Sequence, residues 1–125
     1  MQRRKDRRIK QWNKTLIRFA GPSGPVEIEA YTSDISLGGA RIHSPEALAA
    51  GALIQLRIGL VRSLETITIE GLVKWSRHHE GDAIHELGVE FQHSASNAFM
   101  SLMKNIHDIE PRPRIQGSSA DLGKG

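Results

Sequence analysis

At 125 residues, with 17 Lys and Arg against 14 Asp and Glu, the chain has a formal net charge of +3, and its length suits one domain with a modest core. It has no cysteine, which excludes disulfide frameworks, thiolate metal sites and cysteine nucleophiles and fits a reducing compartment. No apolar run approaches the roughly 20 residues of a membrane span, and the basic N-terminus has no apolar stretch behind it as a secretory signal has; a soluble, cytoplasmic chain is expected.

The charge is unevenly spread. Residues 1–18 hold eight basic side chains and one acidic, a sum of +7, and the rest of the chain holds nine basic and thirteen acidic, a sum of −4. The segment 1–11, MQRRKDRRIKQ, is too polar for a core and reads as a flexible basic arm. Such an arm suits phosphate, acidic membrane or nucleic acid. Its arginines, Arg3, Arg4, Arg7 and Arg8, form two pairs at i, i+4 spacing. Guanidinium groups grip phosphate oxygens by forked hydrogen bonds and stack on bases, which ammonium groups do much less well.

Leu16, Ile17 and Phe19 mark a first short strand, ended by the turn signal Gly21-Pro22-Ser23-Gly24-Pro25. In a second strand Val26, Ile28, Ala30 and Thr32 alternate with Glu27, Glu29 and Tyr31, the period of a half-buried strand. It leads into Ser33-Asp34-Ile35-Ser36-Leu37-Gly38-Gly39, where a carboxylate and a hydroxyl two residues on precede paired glycines. Asp34 and Ser36 can bond local amides or a polar ligand; Gly38 and Gly39 permit a close approach of backbone or ligand. By itself this is a turn or a β-bulge.

A third strand covers Ala40 to His43, and residues 46–51, EALAAG, are expected to make a brief helical turn. Ile54, Leu56, Ile58 and Leu60 set the inner face of a fourth strand. In a long fifth strand Ile67, Ile69, Gly71, Val73 and Trp75 share one face, with Gly71 suggesting a bulge or bend. A polar hairpin loop at 76–85 precedes a sixth strand with Leu87, Val89 and Phe91. From Ser94 the period becomes helical: Phe99, Leu102, Met103 and Ile106 form one stripe, with Ser94 or Ser96 as N-cap and Pro111 closing the segment. The fold class expected is mainly β: a six-stranded antiparallel barrel with a C-terminal helix over residues 12–109, followed by a disordered tail, 110–125.

With these elements placed, the sequence resembles the PilZ domain, the bacterial receptor module for the second messenger cyclic di-GMP. The resemblance rests on an RxxxR arm, Arg4-Lys5-Asp6-Arg7-Arg8, and a [D/N]xSxxG element, Asp34-Ile35-Ser36-Leu37-Gly38-Gly39, in the family's order. The runs Gly71 to Trp75 and Leu87 to Phe91 also look like later strands of the family, and the likeness spans about residues 3–107. It implies a cyclic di-GMP receptor with no other cofactor, in which Arg4 and Arg8 hold phosphates and the O6/N7 edge of guanine. Asp34 accepts from guanine N1–H and N2–H₂, Ser36 adds a hydroxyl contact, and Gly38 and Gly39 leave room for the base. The register Arg3 with Arg7 also satisfies the arm motif; Ile9 after Arg8 favours the other. Arg3 then directly precedes the motif, which in the family goes with an intercalated cyclic di-GMP dimer. Gln2-Arg3-Arg4 is similar to the arm of cellulose-synthase-associated PilZ domains. The implied output is a change of arm conformation that regulates an unidentified protein effector, such as exopolysaccharide synthesis or motility machinery.

Trp75 and His43 are further candidates for contact with the ligand, although the phase of Trp75 matches Ile67, Ile69 and Val73 and favours packing in the core or at the barrel rim. His78, His79 and His85 lack the spacing of a metal site, and no metal is expected. No nucleophile elbow, phosphate loop or paired acids in a pocket is visible, so no enzyme is expected. Two other functions compete. One is a small barrel binding single-stranded nucleic acid, disfavoured because most of the six aromatics fall in phase with the core. The other is a docking module that needs no nucleotide.

Overall fold

The computed structural model describes residues 8–78, 81–93 and 96–107, together with the backbone of two short paired strands, Ala120–Asp121 and Gly123–Lys124. Seven strands precede one helix: β1 (Ile9–Lys10), β2 (Lys14–Gly21), β3 (Gly24–Ile35), β4 (Gly39–Ser44), β5 (Leu53–Gly59), β6 (Thr66–His78), β7 (His85–Gln92) and α1 (Ser96–His107). The strands neighbour one another in the order β3-β2-β5-β6-β7-β4, and β4 returns to β3, so six antiparallel strands close into a barrel. Closure leaves no open edge in that ring. The alternation read in the sequence sets the interior: Ile17, Ala30, Ile42, Leu56, Ile58, Ile67, Ile69, Val73, Leu87, Val89 and Phe91 are buried. The β2–β3 hairpin closes across Gly21 and Gly24, with Gly24 at φ +130°, a backbone that glycine adopts most readily.

Three local features differ from the sequence reading. First, the sheet begins inside the span assigned to the arm. Ile9 and Lys10 pair with Ile35 and Asp34 as a seventh strand, and Gln11 is buried, so the arm's C-terminal end is fixed to the body. Arg3, Arg4 and Arg7 lie outside the described residues. Second, residues 46–51 make no helical turn. The stretch ends in a tight turn instead, the Ala52 amide donating to the Ala49 carbonyl at 3.1 Å with Gly51 at φ +95°, and the Gly51 amide and Ala52 carbonyl bond Val73 of β6 at 2.7 and 2.9 Å. Third, the buried stripe of α1 runs through Ala98, Leu102, Asn105 and Ile106, while Phe99 and Met103 are half-buried. Ala98 belongs to the buried core, and Asn105 is held inward by its hydrogen bonds to Arg62, Ser63 and Gln11. Ser96 is the first helical residue; Ser94, Pro111 and most of the expected tail lie outside the described residues.

A buried polar network ties the root of the arm to the helix. The Gln11 amide donates to the Ser33 carbonyl at 3.0 Å, and the Gln11 carbonyl accepts from Thr32 Oγ1 at 2.6 Å. Gln11 Oε1 accepts from Asn105 Nδ2 at 2.6 Å, and Asn105 Oδ1 accepts from the amides of Arg62 and Ser63. Arg62 Nη1 in turn donates to the carbonyls of Asn105 and Ile106, satisfying acceptors in the last turn of α1. Asn13 makes a similar link beside it, accepting from Val61 N through Oδ1 and donating to Thr32 Oγ1. Buried polar groups satisfied in this way specify one arrangement of the parts they join.

Candidate functional site

Two β-bulges build the site. In β3 the inward phase of Ala30 and Thr32 would carry Asp34 into the barrel. The register slips between Thr32 and Asp34, however: Thr32 faces Ile42 and Asp34 faces Arg41, so Ser33 is the extra residue. In β6 the phase of Ile67, Ile69 and Val73 would bury Trp75, but a second slip, between Val73 and Trp75, sets Trp75 opposite Gly88. Each bulge moves one side chain from the core phase to the outer face, a known use of bulges beside binding sites. Trp75 is 40% exposed. Of the core or barrel-rim packing expected for it, the core position is therefore not found, and Gly71 is not the bulge: a Cβ there would meet Val89 Cγ1 at 2.6 Å, so Gly71 marks tight packing inside the barrel.

Between the bulges the outer wall is a cleft of about 360 Å³ lined by Arg8, by Gly38 to Arg41, by Lys74 and Trp75, and by Gly88 to Glu90. That size falls at the small end of ligand pockets, roughly 300–1,000 Å³. Arg8 Nη1 donates to Asp34 Oδ1 at 2.6 Å, and Arg41 Nε lies 3.5 Å from Asp34 Oδ2. The side chain of Asp34 is 8% exposed and that of Arg8 46%, so a sunken carboxylate meets a guanidinium at the surface. Both Asp34 oxygens thus face cations, Oδ1 the Arg8 guanidinium and Oδ2 that of Arg41.

The Ser36 hydroxyl is turned into its own loop. It accepts from the amides of Gly38 and Gly39, both at 3.2 Å, and lies 3.3 Å from the Gly39 carbonyl. The Ser36 amide donates to the same carbonyl at 2.8 Å. A Cβ on Gly39 would stand 2.1 Å from the Val89 carbonyl oxygen, so only glycine lets β4 begin this close to β7. On Gly88 a Cβ would stand 2.2 Å from the Trp75 indole; its absence makes the seat on which that ring rests.

Of the residues singled out in the sequence, Arg8, Gly38, Gly39 and Trp75 line the cleft; Asp34 stands behind that lining in contact with Arg8 and Arg41, and Ser36 is in the loop beside it. His43 is on the same face outside the cleft lining, its ring 5.0 Å from that of Trp12 and its Nε2 3.7 Å from Glu86 Oε2. Sequence reading missed Arg41, Lys74, Glu86 and Gly88. Arg41 carried a signal, standing two residues past the glycine pair on an outward position. Glu86 carried none, because its burial depends on β4 and β6 closing over it. The expectation that most aromatics serve the core also fails: Trp12, Tyr31 and Trp75 are exposed. His78 and His85 stack on each other at 4.4 Å, and no cluster of three metal-ligating side chains occurs among the described residues. Among those residues no helix is long and apolar enough to cross a membrane.

A family model described as PilZ domain matches residues 2–106. Several solved structures share the fold. The Bacillus subtilis inhibitor of motility, MotI/DgrA, superposes with a TM-score of 0.68 at 20% identity, over 86% of this chain and 51% of that one. The K. pneumonia MrkH complex with c-di-GMP gives 0.65 at 20% identity, over 87% and 53%. The Escherichia coli YcgR PilZ domain with c-di-GMP gives 0.65 at 15% identity, over 86% and 92%. The chain thus spans about half the length of the first two. No curated protein sequence matches it. The chain belongs to the PilZ domain family.

Proposed function

We propose that this PilZ domain is a cyclic di-GMP receptor that takes the dinucleotide into the Asp34–Trp75 cleft and signals through its basic arm to a protein effector. The observation that carries the reading is the Arg8–Asp34 contact, which brings the two halves of the family's motif, 26 residues apart, to one cleft. Two solved neighbours that share the fold hold c-di-GMP, which supports the ligand. Guanine presents N1–H and N2–H₂ to the Asp34 carboxylate, a match that adenine lacks. The guanidinium groups of Arg4 and Arg8 take phosphate and the O6/N7 edge, and Trp75 offers a ring for stacking. Ser36 and Gly39 act indirectly, by shaping the loop and the β4–β7 approach. Arg3 ahead of the motif favours two intercalated ligands.

Arg8 would be the residue that reports occupancy. Its Nη1 bonds Asp34 Oδ1, and an incoming base competes for the same oxygen. Its displacement pulls on β1 and changes what the arm presents to a partner, for which motility or exopolysaccharide machinery are the candidates. The test is calorimetric titration with cyclic di-GMP, with GTP and cyclic di-AMP as controls, on the parent and on Arg8→Ala. Removing one charge-assisted contact predicts at least about a tenfold loss of affinity, with the circular dichroism of the fold retained. An Arg8→Ala protein that binds as the parent does removes the arginine from the site. A parent that shows no heat with cyclic di-GMP but binds a single-stranded oligonucleotide moves the reading to nucleic acid, which the exposed Trp12, Tyr31 and Trp75 would then serve.

A further inference from the structure

Glu86 is a buried carboxylate to which that reading gives no task. It lies on β7, opposite His43 of β4 on one side and Arg77 of β6 on the other. Its side chain is only 6% exposed, and a carboxylate so placed is costly to bury unless its oxygens are paired. Glu86 Oε1 accepts from Arg77 Nη2, and Oε2 lies 3.6 Å from Arg41 Nη1. One of these guanidinium groups reaches on to Asp34, behind the cleft lining, and the other to Trp75, within it. Arg41 presents Nε to Asp34 Oδ2 at 3.5 Å, and the Cζ of Arg77 stands 5.6 Å from the centre of the Trp75 ring, within cation–π range.

The two arginine side chains are 43% and 59% exposed. Unanchored, each would spread over many rotamers and lose that freedom on ordering. The planar guanidinium is the group that can hold two partners at once through separate N–H donors, which lysine does not do. We infer that Glu86 is a positioning residue for base recognition. One anchored carboxylate, through Arg41 and Arg77, fixes the base-edge acceptor Asp34 and the stacking ring Trp75 relative to each other across β4, β7 and β6. Glu86 does not line the cleft, so it acts through the two arginines. A glutamine of the same shape has one acceptor oxygen in place of two and no charge, so it cannot serve both guanidinium groups. The inference rests on Asp34 and Trp75 being the contacts of a guanine nucleotide.

The experiment uses the full chain with Trp12→Phe, which leaves Trp75 as the sole tryptophan. Two quantities are measured in this background and in Glu86→Gln, Arg41→Gln and Arg77→Gln. They are the acrylamide quenching of Trp75 without ligand, and the ratio of affinities for cyclic di-GMP and cyclic di-AMP. Arg41→Gln is expected to cut the guanine preference several-fold, by releasing Asp34 from its ion pair, and to leave quenching unchanged. Arg77→Gln is expected to raise quenching and leave the preference unchanged. Glu86→Gln is expected to do both. A folded Glu86→Gln protein with the parent's quenching and preference overturns the inference. If Glu86→Gln does not fold, the two arginine variants decide, and the parent's values in both overturn it equally. A background protein that binds no cyclic di-GMP refutes the receptor reading instead; the ligand-free quenching still judges the hold of Glu86 on Arg77 and Trp75.

Discussion

The smallest substitution that reaches the site is Gly88→Ala. Its Cβ would stand 2.2 Å from both Cε2 and Nε1 of Trp75, far inside van der Waals contact, and the rigid indole cannot bend away as a flexible chain would. The ring must leave its seat. Trp75 is 40% exposed in place; with about 250 Å² for a whole tryptophan side chain, about 150 Å² is covered. Losing half of that cover at about 25 cal/mol per Å² costs about 2 kcal/mol. Alanine narrows the unfolded ensemble and offsets about 0.4–1 kcal/mol, leaving a net loss of about 1–1.5 kcal/mol. For a domain of this size that lowers Tm by about 4–7 °C. Gly59→Ala is the matched control. Its nearest atom would be the Lys14 carbonyl oxygen at 3.9 Å, so the same chemical change in a strand should be neutral or slightly stabilising. Urea denaturation gives the two stabilities, and Trp75 emission in the Trp12→Phe background reports the ring. A Gly88→Ala protein as stable as Gly59→Ala, with unshifted emission, would show that the indole does not rest on Gly88.

Two further outcomes follow from contacts away from the cleft. Asn105→Leu keeps roughly the side-chain volume but leaves the amides of Arg62 and Ser63 and the Gln11 oxygen without their buried partner. At about 1–3 kcal/mol for each orphaned group, denaturation should show a loss of about 3 kcal/mol or more, and a loss below about 1 kcal/mol on the same scale would mean that water replaces the asparagine. Glu65 titrates below the ordinary carboxylate range because the Ser101 hydroxyl and the Lys104 ammonium favour its charged form. Its folded pKa is depressed, so its contribution is complete above the unfolded value and disappears as pH falls through the folded one. Glu65→Gln should therefore match the parent in the slope of stability against pH near neutrality and show a shallower decline in acid; parallel acid limbs for the two proteins count against the contact.

The barrel and the helix follow from local pattern alone. Period-two alternation in the segments around Ile28, around Leu56 and Ile58, and around Val89 can bury one face only as strands, and the change of period after Ser94 can bury one only as a helix. Arg8, Asp34 and the glycine pair were legible for a related reason, because a motif is a local string. Which way the site residues face is settled instead by contacts between strands. The two bulges arise from the pairing of β3 with β4 and of β6 with β7, and a slip of one residue reverses every side chain beyond it. Counted along the chain, Asp34 and Trp75 belong to the core; paired across the sheet, they stand on its outer wall. The burial of Glu86 and the need for glycine at 88 have the same origin, since each is set by side chains on the neighbouring strands, thirteen residues away for Trp75 and more than forty for Arg41 and His43.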